Sequence, residues 1–226
     1  ADGEVLQHDT DPWIVPARKI DGYCVPAGKG KRPEWSRRTG SFLPVRQDNL
    51  KEVDPEFWDK LDSTFFCNQA VFTPANVIPM AEGGIRMRLN RESRNGKEFT
   101  TGSIATRDQP DARYLYGRFE AVMKPVKESG VVTALFLYRF DPWQEIDMEF
   151  VGNDTSRILL NVFYNPGNPG DLYNYGYRGT PVKVHLGFDA AEDYHRYAIE
   201  WDPEEIRWFV DDRLIHRRRA GYPTPI

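Results

Sequence analysis

The stretch Trp143-Gln-Glu-Ile-Asp-Met-Glu-Phe-Val-Gly-Asn153 decides the fold. Carboxylates recur there at every second position, Glu145, Asp147 and Glu149, with apolar Ile146 and Met148 between them. A strand sends successive side chains to opposite faces, so as a strand this segment carries three acids on one face and Ile146, Met148 and Phe150 on the other. The same alternation also describes an ordinary amphipathic strand with a solvated face. Such strands usually mix Lys, Thr and Arg with their acids, because like charges side by side are unfavourable. Crowded carboxylates also push their pKa values apart, so that one stays protonated while its neighbour stays charged. That division suits acid-base chemistry, and Trp143 beside the acids suits sugar stacking.

Working outward, the period stays at two. Ile85, Met87 and Leu89 alternate with Arg86, Arg88 and Asn90, and Asn95-Gly96 then marks a tight hairpin. Phe119, Ala121 and Met123 alternate with Arg118, Glu120 and Val122 before Pro125 stops the strand. Residues 131–138 are nearly all apolar and read as a strand covered on both faces. Residues 158–163, 195–201 and 206–210 continue the series, with Asp211-Asp212 as the last turn. Helix signals are scarce, and residues 55–61 read as a single turn. Many antiparallel strands predict an all-β sandwich of two sheets with a concave face, in which Trp201 and Trp208 belong to the core.

The chain has 226 residues, 40% hydrophobic and 13% aromatic, enough to bury a substantial core. Its net charge of −4 argues against a nucleic-acid partner. No apolar run of about 18 residues is present to span a membrane. Ala1-Asp2-Gly3-Glu4 reads as the start of a mature, processed chain, which predicts a secreted or periplasmic protein. Cys24 and Cys67 permit one disulfide or two free thiols and lack metal-ligand spacing; His185, His195 and His216 are scattered and not catalytic. Residues 1–46, with Pro12, Pro16, Pro26, Pro33, Pro44 and the basic Lys29-Gly30-Lys31-Arg32, read as an irregular arm ahead of a sandwich domain at 47–226.

Glu145-Ile-Asp-Met-Glu149 is a Glu-x-Asp-x-Glu pattern, and ordered blocks surround it: Tyr114–Pro125 with Gly130, Asn161–Gly167, Gly187–Ala191, Tyr194–Pro203 and Ile206–His216. Together they make the chain, over roughly residues 56 to 216, resemble glycoside hydrolase family 16. Bacterial lichenases (endo-β-1,3-1,4-glucanases) are the nearest likeness, while Phe150-Val-Gly-Asn153 is similar to plant xyloglucan endotransglycosylases. The resemblance implies a concanavalin-like β-jelly roll with a sugar-binding cleft, cleaving internal β-glycosidic bonds of a polysaccharide by retaining double displacement. Carried over by position, Glu145 is the nucleophile, Glu149 the general acid/base, and Asp147 the group bonded to the nucleophile. The nucleophile must start ionised and the acid protonated. Backbones four residues apart in a strand lie about 13 Å apart, whereas retention needs carboxyls about 5–5.5 Å apart. The two Glu side chains must therefore lean together.

Trp143 is expected to floor a sugar subsite, with a core Trp at a strand start as the other reading. Asn161 and Phe163 are expected on the acid face of the neighbouring strand, Asn161 bonding a sugar, a carboxylate or backbone. Where lichenases grip glucose with a Glu and an Arg, residues 100–106 offer small hydroxyl residues, which leaves the glucan open. The chain stops at Ile226, before strands that follow in relatives. The expectation is either a truncated sequence or a partner segment that completes the sheet, since an open edge invites aggregation. Asn153-Asp154-Thr155 is a glycosylation sequon. No cofactor is expected; the family's structural calcium on the convex face has no acidic loop here that demands it. A transglycosylase on the same site, or a non-catalytic carbohydrate-binding or structural module, are the alternatives.

Overall fold

The computed structural model describes residues 46–109, 114, 116–139, 144–163, 181–202 and 205–218, with the backbone of 8–9. The chain divides into two compact units, Ala1–Phe42 with Leu115–Ile226, and Leu43–Tyr114. Most of the expected arm at 1–46, Cys24 included, lies outside the described residues.

The first unit holds β1 (His8–Asp9), β8 (Gly117–Met123), β9 (Val132–Arg139), β10 (Gln144–Val151), β11 (Arg157–Phe163), β12 (Val182–His185), β13 (His195–Trp201), β14 (Ile206–Val210) and β15 (Arg213–Arg218). They form a five-stranded sheet ordered β1-β12-β11-β10-β9 and a four-stranded sheet ordered β15-β14-β13-β8. Every pairing in both is antiparallel. This is the expected two-sheet sandwich. One sheet supplies Ile146, Met148, Phe150, Ile158, Leu160 and Val162 to the shared core; the other supplies Tyr197, Ile199, Trp201, Ile206, Trp208 and Ile215. Burying each such side chain stabilises the fold by about 1.5–3 kcal/mol. Phe150 meets Tyr197 edge-on across the layers at 5.2 Å between centroids, a favourable aromatic geometry. Trp201 and Trp208 are core residues, as expected.

The strand at 131–138 is a correction. The expectation was cover on both faces, yet β9 alternates: Leu135 and Leu137 pack on the core, while Phe136 and Tyr138 are 43% and 49% exposed. An unbroken apolar run conceals the period of two when the outward row is itself aromatic, and here only one face meets the opposite sheet.

The turns follow local chemistry. Asp211 and Asp212 take φ of 49° and 62°, the left-handed pair that a two-residue hairpin requires. Gly152 is demanded by close approach, since a Cβ there would lie 2.2 Å from the Glu128 carbonyl oxygen. That contact seats the β10–β11 turn on the loop before β9. Asp189 binds the same end together, accepting from Lys127 Nζ at 2.5 Å, from Ala191 N–H at 3.0 Å and from the Thr155 hydroxyl. Thr155, the last residue of the sequon, is buried, whereas Asn153 is exposed. On the outward face of the four-stranded sheet, Arg118 pairs with Glu120, Glu200 and Asp212 at 2.8–2.9 Å.

The second unit pairs β2 (Trp58–Lys60) with β7 (Ile104–Thr106), β3 (Ala70–Phe72) with β6 (Phe99–Thr101) and β4 (Val77–Pro79) with β5 (Ile85–Met87). The turn expected over 55–61 closes through Trp58 N–H to Asp54 O at 2.8 Å, and β2 then takes over. Asn95 and Gly96 form the expected left-handed hairpin turn, with φ of 49° and 75°. Asn76 anchors a polar cluster, donating to the Thr100 hydroxyl at 3.0 Å and accepting from Asn90 at 2.9 Å. Cys67 is a free, exposed thiol.

Candidate active site

The three acids lie in the middle of β10, flanked on both sides by hydrogen-bonded strands. Directly paired residues of antiparallel strands share a face, so the register defines the surface around them. Glu145 stands between Tyr138 and Phe163, Asp147 between Phe136 and Asn161, and Glu149 between Ala134 and Leu159. Their alternates Ile146, Met148 and Phe150 are wholly buried in the core. The strand is thus anchored by its apolar face, and its polar face is presented away from the sandwich interior.

Burial differs along the acid row. Asp147 is 3% exposed, while Glu145 and Glu149 are partly exposed. Burial pushes the Asp147 carboxyl well above the ordinary carboxylate range, and the neighbouring charges of Glu145 and Glu149 add to this. Its hydrogen bond with the Glu145 side chain works in the same direction, favouring the protonated form of Asp147. Burial, followed by the charge of Glu145, raises Glu149 from 4.5 to about 7. A carboxyl poised there can give up a proton and take one back near neutral pH, which is what a general acid/base requires. The flanking strands place no charged residue directly opposite Asp147, so the acids tune one another.

Asn161 sits where expected, opposite Asp147 and buried. Its amide oxygen accepts the Val162 N–H at 2.9 Å, the structural bond to backbone that the sequence left open. Phe163 is buried opposite Glu145. Trp143 lies outside the described residues. Sequence reasoning missed Phe136 and Tyr138, whose exposed rings stand on the acid face beside Asp147 and Glu145. The signal was available in the spacing: counted back across the hairpin, every second residue of β9 shares the face of the acids.

In the second unit, Thr100 belongs to the segment of small hydroxyl residues at 100–106. It is buried, and its hydroxyl is committed internally, accepting from Asn76 Nδ2 and donating to Glu92 Oε2, both at 3.0 Å. Among the described residues no three His, Cys, Asp or Glu side chains converge as metal ligands. Nor is any described helix long and apolar enough to cross a membrane.

Comparison with known proteins bears on the fold and the family. The chain is 35% identical over 208 residues to a Beta-glucanase of Brevibacillus brevis, covering 87% of this chain and 72% of that one. The Bacillus licheniformis beta-glucanase structure superposes with a TM-score of 0.65 at 30% identity, covering 78% of each chain. The laminarinase catalytic domain of Thermotoga maritima gives 0.63 at 25% identity, covering 74% of this chain and 72% of the other. The fold is therefore the all-β jelly-roll sandwich of these glucanases. With residues 68–223 matching the family model for glycosyl hydrolases family 16, the chain belongs to that family and is a glycoside hydrolase.

Proposed function

We propose that this chain is an endo-acting β-glucan hydrolase that works with retention, with Glu145 as nucleophile, Glu149 as general acid/base and Asp147 holding a proton against Glu145. The observation that carries the assignment is the Glu149 carboxyl, raised to about 7 on the same face as Glu145 and a protonated Asp147. In the first step the Glu145 carboxylate attacks the anomeric carbon while Glu149 delivers its proton to the departing glycosidic oxygen. The bond to the leaving sugar breaks as the ester to Glu145 forms. Glu149, now ionised, takes a proton from water, and the resulting hydroxide displaces Glu145 from the same carbon. Both partners end as they began. Asp147 donates a hydrogen bond to Glu145 throughout and steadies its charge as it changes from carboxylate to ester and back.

Tyr138 and Phe136 offer apolar rings to the faces of sugar units lying across β9 and β10. The substrate would be a β-1,3- or β-1,3-1,4-linked glucan, and the protein would act outside the cytoplasm, where such polymers occur. The test is a panel of lichenan, laminarin, cellulose and xyloglucan, assayed with this chain and with Glu145→Gln. Shortened oligosaccharides are expected from at least one glucan, falling at least about 10³-fold in the variant. Activity that survives the substitution would remove Glu145 from its role. No product from any glucan would favour a binding module. Chain extension on adding an oligosaccharide acceptor would identify a transglycosylase.

A further inference from the structure

The acid strand receives a hydrogen bond from the opposite sheet. Trp208, on β14, is buried in the core, and its indole N–H donates to the Asp147 backbone carbonyl at 3.1 Å. Carbonyls in an antiparallel ladder point along the sheet toward neighbouring strands, and the interior of a sandwich is normally filled by apolar side chains. A donor rising through the core to this particular carbonyl therefore fixes the one residue whose side chain lies on the far face between Glu145 and Glu149. The indole is itself held at a defined angle. The His216 ring lies 5.4 Å from it at 35°, and a small, partly open crevice borders it together with Leu160, Asn161 and Val162. Trp208 is enclosed by the core, and the directed bond from its indole ties the position of the ring to that of the Asp147 backbone.

We propose that Trp208 is a positioning residue for the acid row: its N–H holds the Asp147 backbone at the height and tilt that keep the Asp147 carboxyl bonded to Glu145. The inference rests on the reading of these acids as the catalytic set. Asp147 is faced by Glu145 and Glu149 from its own strand, by Phe136 from β9 and by Asn161 from β11, so a shift of its backbone changes chiefly its bond to Glu145. Trp201 supplies an internal control. It is equally buried on the same sheet, but its indole N–H has no hydrogen-bond partner among the described residues.

The experiment compares Trp208→Phe with Trp201→Phe by Tm, kcat, KM and the pH profile of kcat/KM, and follows the Asp147 carboxyl by ¹³C NMR titration. Both variants should lose stability. Trp208→Phe alone should lower kcat about tenfold, the effect of one lost hydrogen bond, with KM changed less than about twofold, and should move the Asp147 midpoint toward the ordinary carboxylate range. Superimposable kcat and pH profiles for the two variants would overturn the proposal. If the wild-type chain cleaves no glucan, the functional reading fails; an unchanged Asp147 titration in Trp208→Phe then overturns the positioning role independently. Should Trp208→Phe not fold, β-(3-benzothienyl)alanine at position 208 keeps the ring shape without the donor and is read the same way.

Discussion

Replacing Glu149 by Gln should make the protein more stable at alkaline pH while disabling it. Glu149 titrates near 7 instead of 4.5 because burial and the Glu145 charge oppose its ionisation. The folded state therefore prefers the protonated form more strongly than the unfolded chain does. The resulting stabilisation is complete below about 4.5 and is lost as pH rises through 7. Moving a carboxyl from 4.5 to about 7 corresponds to about 3.4 kcal/mol at 1.36 kcal/mol per tenfold. Solvent screening of the partly exposed side chain brings this to about 2 kcal/mol. Gln keeps the shape and cannot ionise. At pH 5 the variant should melt only slightly higher than wild type; at pH 8 it should melt about 4–8 °C higher for a chain of this size. Asp147, raised in the same direction, leaves a residual pH slope in both proteins. Scanning calorimetry at pH 5, 6, 7 and 8 reads the difference directly. A gap between variant and wild type that does not change with pH would refute a raised Glu149. Activity should fall by roughly 10²–10⁴-fold over the same range.

Two further outcomes follow from the geometry. Asp189 is held down to about 2, first by its bond with Lys127 and then by the Thr155 hydroxyl and the Ala191 N–H. Its contribution is present above the unfolded value of 3.8 and disappears as pH falls through about 2. Asp189→Asn should thus lower Tm at neutral pH, with the gap closing in acid melts; a gap that persists at pH 2 would contradict the clamp. Tyr138→Ala and Phe136→Ala remove exposed rings beside the acids, so each should raise KM several-fold, from about 0.5–1.5 kcal/mol of lost stacking. Tm should barely move, and a large fall in Tm with KM intact would show that the rings serve the fold instead.

The period of two was legible from the residues because alternation is imposed by the backbone itself. Ile146, Met148 and Phe150 had to face a core if the acids faced away from it, and they do. Turn chemistry was equally local: Asn95-Gly96 and Asp211-Asp212 tolerate left-handed φ, so both hairpins could be placed. Residues 131–138 were misjudged because hydrophobicity records only that a side chain is apolar, not whether a second layer covers it. Phe136 and Tyr138 look like core in the chain and become surface only when β9 pairs with β10.

By itself the sequence determined the all-β architecture and the acid row, since both follow from residue type and a spacing of two; the roles proposed for the three acids came from the family resemblance. Tertiary structure decided what those groups are electrostatically. On an exposed strand, water and salt would screen three carboxylates at alternate positions and leave their pKa values much closer together. Burial of Asp147 against Phe136 and Asn161, partial burial of Glu149 and the influence of Glu145 on both separate one from another. The bond from Trp208 to the Asp147 carbonyl lies beyond any reading of the chain, because it joins residues 61 positions apart through the core between two sheets. Local pattern chooses which face a side chain takes; only packing fixes the dielectric around it and the partner that reaches it.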